Sequence, residues 1–317
     1  MRKSFHVSIA VIVTSVSLSA GAGVAEATTP GRPGRIAYTR PVGNEGFQIF
    51  TRRTDGSGVR RLTRSGREHR HPSWSPDGKR IAWTCRRGKG SSVNLDICVM
   101  NRDGSGKIRF KTEANEAHPA FSPSGDEVAF VTTGPDLGFV YPQDHIFIRN
   151  LKTHAITQVT HNTDVSEREL AWAPDGGSIA FVGLDSDRSF DLFLVEVDDG
   201  EEHKLVDPDS GVVSGVDWSP DGSELVYTQR IRDSDDEIFV IRPDGTNGRQ
   251  LTRNARVPVS HPVWSPNGKE IVFLYGEGDA AACFFSATTT VDLSEFPLDM
   301  RCIRGEHFDL SWQPRPV

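Results

Sequence analysis

The sequence predicts an all-β fold, a six-bladed β-propeller in which each blade is a four-stranded antiparallel sheet. Three observations predict it. A turn segment of the form aromatic-x-Pro-x-Gly recurs along the chain, β-rich runs follow each copy in the same order, and the two chain ends supply complementary parts of one unit. The 30 Gly and 19 Pro among 317 residues provide the many turns that such a fold needs.

The recurring turn segment marks the units. It starts at an aromatic residue, and successive copies lie 46 to 51 residues apart. This spacing is the length of one four-stranded propeller blade. We expect the aromatic side chains to fill the space between facing sheets rather than to stack on a ligand. They are Trp74, Phe121, Trp172, Trp218, Trp264 and Trp312.

Each unit continues in an order that defines strands A to D of a blade. The aromatic residue ends strand A, and the Pro-x-Gly turn leads to an apolar strand B such as Ile81 to Trp83. A variable loop precedes strand C, for example Ile97 to Met100. A second turn, usually Asp-Gly, then leads to a short strand D that ends in a pair such as Leu62-Thr63. Because Asp-Gly pairs supply the positive φ angles of tight hairpins, each unit is predicted to be an antiparallel meander.

The two ends of the chain predict how the ring closes. The first β-rich run, Arg35 to Tyr38, is a strand B, and strands C and D of the same blade follow it. The missing strand A of that blade is the last run, Phe308 to Trp312. We therefore expect the C-terminal strand A to pair with the N-terminal strands B to D, which closes the ring and hides its edges.

The N-terminus resembles a secretory signal. Arg2 and Lys3 precede an apolar run from Val7 to about Ala20, and Ala25-Glu26-Ala27 is a small-x-small cleavage site. The alternative is a retained anchor, but the run is shorter than the roughly 20 residues that span a bilayer. We predict a signal peptide over residues 1–27, a linker over 28–34 and the propeller over 35–317, in a secreted or periplasmic protein without a membrane span after cleavage.

The charge balance restricts the class of partner. The chain has 36 Lys and Arg against 43 Asp and Glu, a net charge of −7. Nucleic acids and anionic membranes attract surfaces rich in Lys and Arg, so neither is expected to bind. We expect a monomer that binds another exported or cell-envelope protein.

The four cysteines are predicted to form two disulfides. Cys85 and Cys98 fall in blade two, and Cys283 and Cys302 fall in blade six. Bonds between those blades would have to reach across the closing blade, so we predict Cys85–Cys98 and Cys283–Cys302, as export would allow. The alternatives are free thiols or a zinc site, although neither pair has the short C-x-x-C spacing.

The repeated segments, such as Trp74-Ser75-Pro76-Asp77-Gly78 and Trp218-Ser219-Pro220-Asp221-Gly222, resemble the TolB-like, or PD40, β-propeller repeat, a relative of WD40 repeats. The resemblance covers about residues 35 to 314. It most readily implies a propeller that binds other exported proteins. Only Thr28 to Gly34 lies between the predicted cleavage site and the first strand, so we expect the propeller without the α/β domain that precedes it in TolB.

A candidate binding site follows from alignment of the repeats. The position three residues before each aromatic starts the innermost strand, so its side chains are predicted to converge at the channel mouth. Imidazoles with carboxylates suit a divalent transition metal, for which His71, His118 and His261 are the candidate ligands. The alternative is that each His-Pro pair only ends a loop, with its imidazole bonded to backbone. The six positions, in blade order, are Asp309, His71, His118, Glu169, Gly215 and His261.

No Gly-x-Ser-x-Gly or His-Glu-x-x-His motif occurs in the sequence, so no serine hydrolase or zincin site is expected. We predict a non-catalytic propeller scaffold without a cofactor, which binds through the channel mouth and the irregular B–C and D–A loops on the same face. The alternative is a metal-dependent, lyase-like enzyme that acts on acidic saccharides, because PD40-type oligogalacturonate lyases are metal-dependent propellers.

Overall fold

The computed structural model describes most of the propeller and none of the predicted signal peptide. The described residues are 34–64, 67–86, 95–112, 114–133, 144–162, 165–185, 189–208, 212–231, 236–253, 255, 257–276, 281–288, 290–293, 301–303 and 308–314.

Six four-stranded antiparallel sheets form the fold, as the repeats predict. Strands A to D of blade one are β26 (Phe308–Trp312), β1 (Arg35–Pro41), β2 (Phe47–Arg53) and β3 (Arg60–Arg61). Those of blade two are β4 (His69–Trp74), β5 (Arg80–Arg86), β6 (Leu95–Asn101) and β7 (Ile108–Phe110). Those of blade three are β8 (Asn115–Phe121), β9 (Glu127–Thr133), β10 (Asp144–Asn150) and β11 (Ile156–Gln158). Blade four consists of β12 (Ser166–Trp172), β13 (Ser178–Leu184), β14 (Phe190–Glu196) and β15 (Glu202–Val206). Blade five consists of β16 (Val213–Trp218), β17 (Leu225–Arg230), β18 (Asp236–Ile241) and β19 (Arg249–Gln250). Blade six consists of β21 (Val259–Trp264), β22 (Glu270–Tyr275), β23 (Ala281–Ser286) and β25 (Arg301–Ile303). A 3-10 turn covers Gly43–Glu45.

The ring closes as predicted, by pairing of the last strand with the first. β26 runs antiparallel to β1, with Trp312 opposite Ile36. Gln313 extends this contact: its backbone N–H donates to the Arg35 carbonyl at 2.8 Å, and its side-chain amide donates to the Gly78 carbonyl of blade two at 2.7 Å. One residue near the C-terminus therefore ties blade one to itself and to its neighbour.

The hydrophobic core lies between adjacent blades. The described residues form six clusters of buried side chains, and each cluster contains apolar residues of one blade together with the channel aromatic of the next. Trp74, for example, packs with Ile49 of blade one and with Ile81 of its own blade. This is the predicted arrangement, in which an aromatic side chain on every innermost strand fills the space between neighbouring sheets.

Both sets of predicted turns adopt the expected backbone. Gly78, in the A–B turn of blade two, has φ of 62°, and Gly104, in its C–D turn, has φ of 89°. The preceding Asp accepts from the backbone one residue beyond the glycine, as when Asp77 Oδ1 accepts the Lys79 N–H at 3.0 Å. These are the local bonds through which Asp favours tight turns.

The sequence places each Leu-Thr pair at the end of strand D, but in the structure the pair follows that strand. In blade one, strand D ends at Arg61, and Leu62 donates its N–H to the Ile49 carbonyl at 2.9 Å. The Thr63 hydroxyl then accepts the Ile49 N–H, also at 2.9 Å. The same hydroxyl role recurs at Thr160 and Thr252. The threonine thus satisfies a strand C donor after the backbone ladder has ended.

A two-stranded parallel sheet joins blades five and six and was not predicted. It pairs β20 (Thr252–Arg253), which follows blade five, with β24 (Val291–Asp292), which lies between strands C and D of blade six. Leu293, 1% exposed, packs into the core cluster between these blades.

Both predicted disulfides are present. Cys85 of β5 bonds Cys98 of β6, and Cys283 of β23 bonds Cys302 of β25. Each bond crosslinks two strands of one blade, and all four cysteines are accounted for.

Candidate functional site

Strand A of every blade carries a backbone irregularity at the aligned position. In each A–B pair the register shifts at or beside that position, as in a β-bulge, for example between Arg70 and Ser73. The six aligned residues have φ between 49° and 59°, and five of them are not glycine. Side chains rarely adopt this left-handed conformation, which costs about 1 kcal/mol or more per residue. The residues are Asp309, His71, His118, Glu169, Gly215 and His261.

The bulges turn these residues toward one central cavity. All six line a space of about 220 Å³ that extends along the A strands to the turn prolines Pro220, Pro266 and Pro314. The sequence alignment of repeats therefore identified residues that come together in space. We call the six residues the channel ring.

Asp309 lies between two imidazoles of the ring. Its Oδ1 is 3.9 Å from His71 Nε2 and 3.8 Å from His261 Nε2. Its Oδ2 accepts the Thr39 hydroxyl at 2.9 Å and the His71 N–H at 3.2 Å. Burial acts to raise the pKa of Asp309, but the two histidines and these hydrogen bonds outweigh it and hold the pKa below its ordinary value.

His71 also contacts the ring residue of blade three. The His71 and His118 imidazoles stack with their centroids 3.8 Å apart, and His71 Nδ1 lies 3.3 Å from the Thr84 hydroxyl. The same hydroxyl accepts the His118 N–H at 3.1 Å. Burial lowers the pKa of His71, and burial together with His71 lowers the pKa of His118 to about 3. Burial therefore favours the neutral form of both imidazoles.

Blades four and five contribute the opposite side of the ring. A Glu169 carboxylate oxygen accepts the Gly215 N–H, which ties the two blades together at the channel mouth. Gly215 has φ of 59°, and a Cβ there would lie 2.9 Å from Pro262 Cδ. The absence of a side chain at this position is thus required by the approach of blade six.

Asp217 is a cavity residue that the sequence reasoning missed. It lies one residue before Trp218, and its Oδ2 accepts the Trp264 N–H at 2.8 Å. Burial raises its pKa to about 7, against the opposing hydrogen bonds from the backbone of Trp264 and Trp218. The repeat alignment contained the signal, because the other blades have no acid there: the equivalents are Ser311, Ser73, Ala120, Ala171 and Val263.

The channel aromatics form the walls of the cavity and differ in their polar contacts. Each is more than nine-tenths buried. The indole N–H groups of Trp172 and Trp218 donate to the carbonyls of Gly176 and Ala171, both at 3.1 Å. The indole nitrogens without a hydrogen-bond partner in the described residues are those of Trp74, Trp264 and Trp312.

The predicted metal site has no matching geometry in the part of the chain that the structure describes. There, no group of three or more His, Cys, Asp or Glu side chains is arranged to hold a metal ion. The described contacts of the His71 and His261 rings instead include Asp309, and the His71 ring also contacts Thr84 and His118. The three-histidine metal site stays a prediction from sequence, and we derive no chemical step through a metal.

The predicted loop face lies partly outside the described residues. Of the irregular loops, residues 87–94, 134–143, 186–188, 232–235 and 277–280 are not described. Nowhere in the described ranges is there a helix of the length and hydropathy needed to cross a membrane.

Six four-stranded blades around a channel with polar side chains at its mouth define the chain as a β-propeller protein. It belongs to the PD40 family, whose model, the TolB beta propeller domain, matches residues 33–280. The prediction made from the repeated turn segments is confirmed.

Curated relatives match part of the chain. The dipeptidyl-peptidase 5 of Porphyromonas gingivalis is 32% identical over 117 residues, which are 35% of this chain and 17% of the relative. The Tol-Pal system protein TolB of Geobacter sulfurreducens is 37% identical over 87 residues, 27% of this chain and 18% of the relative. The chain thus aligns with less than a fifth of the length of each.

Solved structures share the fold at low sequence identity. TolB from Acinetobacter baumannii superposes with a TM-score of 0.70 at 22% identity, over 89% of this chain and 67% of that one. An oligogalacturonate lyase in complex with manganese gives 0.53 at 14% identity, over 86% and 74%. A puromycin-hydrolyzing peptidase from Mycobacterium tuberculosis gives 0.55 at 16% identity, over 84% and 43%. These similarities show the fold alone.

Proposed function

We propose that the protein is an exported, non-catalytic binding module whose ligand or partner engages the mouth of the central channel. One observation carries the proposal: all six blades place a left-handed residue at the same position, and these residues line a single cavity. Strained backbone that recurs around a cavity is a feature of sites that bind something. The resemblance to TolB-like propellers supports the same role, because it implies binding to other exported proteins.

Three features support export. The chain begins with a segment that has the charge, apolar run and cleavage site of a signal peptide. Two disulfides crosslink blades two and six, and such bonds persist in oxidising compartments. A structural relative is a TolB, and a Tol-Pal TolB is a curated relative.

The second candidate function is a metal-dependent lyase that acts on acidic saccharides. It is favoured by the contact of Asp309 with His71 and His261, and by the fold shared with a manganese-bound oligogalacturonate lyase. The charge of the cavity counts against it, because Glu169, Asp217 and Asp309 line the space and would repel a uronate.

Affinity capture from the cell envelope tests the binding proposal. The exported protein and its Glu169→Gln variant serve as baits, with Glu201→Gln as matched control, because the Glu201 side chain is 67% exposed in a C–D turn. We expect the wild type and the control to capture the same partner, and the ring variant to capture less of it. Equal capture by all three baits would place the binding surface away from the ring.

Elemental analysis of the purified protein tests the alternative. The binding proposal expects no stoichiometric transition metal and no cleavage of polygalacturonate. One bound metal ion per chain that is lost in His71→Ala and His261→Ala, together with metal-dependent cleavage, would establish the lyase instead.

A further inference from the structure

The charges of the chain are divided between two sectors of the ring. Residues 35–112, which form blades one and two apart from strand A of blade one, contain 18 Lys and Arg against 6 Asp and Glu, a net charge of +12. Residues 113–314 contain 14 Lys and Arg against 36 Asp and Glu, a net charge of −22. The overall net charge of −7 conceals this separation. The expectation that anionic surfaces do not bind rests on the overall charge, so it does not extend to blades one and two.

Exposed bases of blades one and two lie at one face of the propeller. In an antiparallel meander the A–B and C–D turns lie at the same end of the sheet, and the B–C loops lie at the other end. We call the face formed by the A–B and C–D turns the turn face. Four exposed bases flank the C–D turns there, and they are Arg53, Arg60, Arg102 and Lys107.

These four bases have no carboxylate partner among the described residues, where the ion pairs of blades one and two belong to other bases. The neighbouring acids Asp55 and Asp103 instead accept the N–H groups of Ser57 and Ser105 within their own turns, at 2.8 and 2.9 Å. Arg53 donates to the hydroxyl of Ser57 at 3.2 Å, which is a neutral acceptor. The positive charge of this surface is therefore not neutralised by contact pairs.

Two arginines of blade one approach the same point of the turn face. Arg35 and Arg53 lie directly opposite each other in the pairing of β1 with β2, and like charges in this arrangement repel. A Cβ on Gly58 would lie 3.1 Å from Arg53 Nη1 and 3.5 Å from Arg35 Nη1. Both guanidinium groups thus lie beside the C–D turn, where an anionic oxygen would relieve their repulsion.

The same surface exposes apolar side chains. Val59 is 50% exposed and Ile108 is 56% exposed, the highest values among the large apolar residues that the structure describes. Val59 precedes Arg60, and Ile108 follows Lys107. Apolar side chains beside bases are typical of surfaces that enter the headgroup region of an anionic bilayer. A protein partner would need pockets shaped to receive these side chains, whereas lipid headgroups rearrange around them.

The opposite blades four and five present acids on the same turn face. Exposed examples are Asp175, Asp199, Asp221 and Asp244. At about 0.1 M salt the interaction of exposed charges is screened beyond about 10 Å, so acids across the channel do not cancel the attraction at blades one and two. They favour an orientation in which the basic sector, and not the acidic one, meets an anionic surface.

We propose that the turn face of blades one and two docks on an anionic lipid surface. Its four exposed bases contact headgroup phosphates, and Val59 and Ile108 enter between the headgroups. The channel ring lies near the start of the A strands, at the opposite end of the sheets, so a docked protein keeps its channel mouth accessible to a partner. The inference adds a second surface to the proposed binding module and uses no residue of the channel ring.

Sedimentation with lipid vesicles tests the inference. The exported protein is mixed with vesicles of phosphatidylcholine, either alone or with about one third phosphatidylglycerol, at about 0.1 M salt. We expect at least about tenfold tighter binding to the anionic vesicles, and loss of that preference at about 1 M salt, where the Debye length falls to about 3 Å. Equal binding to both vesicles at low salt, or binding to neither, would overturn the inference.

Charge substitutions locate the docking surface. The variant Arg60→Gln with Lys107→Gln removes one exposed base from each of blades one and two. The matched control, Arg242→Gln with Lys269→Gln, removes two exposed bases from the turn face of blades five and six and changes the net charge equally. We expect the first variant to bind anionic vesicles at least about tenfold more weakly and the control to bind as the wild type does. Equal weakening in both would overturn the assignment to blades one and two. All variants carry the same N-terminus, so its apolar segment does not affect the comparison.

The variant Val59→Thr with Ile108→Thr tests the apolar contribution, because threonine keeps a β-branched shape and adds a hydroxyl. We expect binding to anionic vesicles to weaken at least about threefold. Unchanged affinity would overturn the role given to these side chains.

Immobilised poly-glutamate is the probe for an acidic protein as the occupant. The lipid proposal expects the wild type to prefer anionic vesicles. A wild-type protein that binds poly-glutamate but not anionic vesicles would assign the basic sector to an acidic protein and overturn the lipid surface.

The inference and the proposed function can fail separately. If envelope capture depends on Glu169 but anionic vesicles do not bind, the lipid inference is wrong and the binding module stands. If vesicle binding depends on Arg60 and Lys107 but no partner is captured, the lipid surface stands and the protein-binding proposal is wrong.

Discussion

The left-handed residues of the channel ring show how one position is used differently in different blades. Five carry side chains, and Gly215 carries none because blade six approaches it. A glycine at this position removes the conformational cost that the other five residues accept. It also leaves space at the point where Glu169 bonds the backbone.

Gly215→Ala is predicted to lower the melting temperature by several degrees. The new Cβ would lie 2.9 Å from Pro262 Cδ and 3.1 Å from His261 Cα, in addition to the strain at φ of 59°. Gly245→Ala is the matched control, since it has φ of 77° and nothing within 4 Å of its Cβ. Thermal unfolding followed by circular dichroism measures both. An equal loss in the two variants would contradict the close approach of blade six.

Asp217 predicts a dependence of stability on pH. Burial raises its folded pKa to about 7, above the unfolded value near 4. Between these values the folded state holds a proton that the unfolded state has lost, so the acid destabilises the fold increasingly as the pH rises.

The free energy of unfolding of Asp217→Asn minus that of the wild type should therefore increase by about 2 to 3 kcal/mol between pH 5 and pH 8. Urea unfolding of both proteins at the two pH values measures the difference, and other titrating groups cancel in the comparison. A difference that does not change with pH would show that Asp217 is ionised throughout.

At the scale of strands, the threonine after strand D completes a ladder that the backbone leaves unfinished. Thr160 is fully buried, and its hydroxyl accepts the Ile146 N–H at 2.9 Å. In blade five the equivalent Thr252 also donates to buried Glu237 at 2.6 Å. The Leu-Thr pairs are thus hydrogen-bonding elements as well as ends of strands.

Thr160→Val is predicted to destabilise the protein by about 1–3 kcal/mol, because it keeps the shape and leaves the Ile146 N–H without an acceptor. Thr160→Ser keeps the hydroxyl and should cost less. Free energies of unfolding from urea titration compare the two. A valine variant as stable as the serine variant would mean that another acceptor reaches this N–H.

The strands differ in how far the sequence could predict them. Strands B and C carry continuous apolar runs, and each predicted run lies within the observed strand, although strand B extends up to three residues beyond its predicted end, as from Trp83 to Arg86 in blade two. The parallel pair of β20 and β24 joins Thr252 to Val291, 39 positions apart in the chain, and no turn or periodic pattern in the sequence predicts it. It depends on the tertiary packing of Leu293 between blades five and six.

At the scale of the whole molecule, repetition made the channel predictable. Alignment of the repeats placed six residues in one ring, and closure of the ring by β26 brought Asp309 beside His71, which lies 238 positions away in the chain. The sequence could not show that both imidazoles beside Asp309 contact its carboxylate, because side-chain direction depends on the bulges. It also did not draw attention to Asp217, which interrupts a position that is otherwise small or apolar.

The central claim is tested most directly by the affinity of a captured envelope partner for a variant with an obstructed channel. Val263 lies at the cavity wall on strand A of blade six and packs against the core cluster between blades six and one, so Val263→Phe enlarges a side chain at that wall. If the channel mouth receives the partner, the variant should keep its melting temperature within a few degrees and bind at least about tenfold more weakly. A folded Val263→Phe protein that binds the partner as tightly as the wild type would contradict the account.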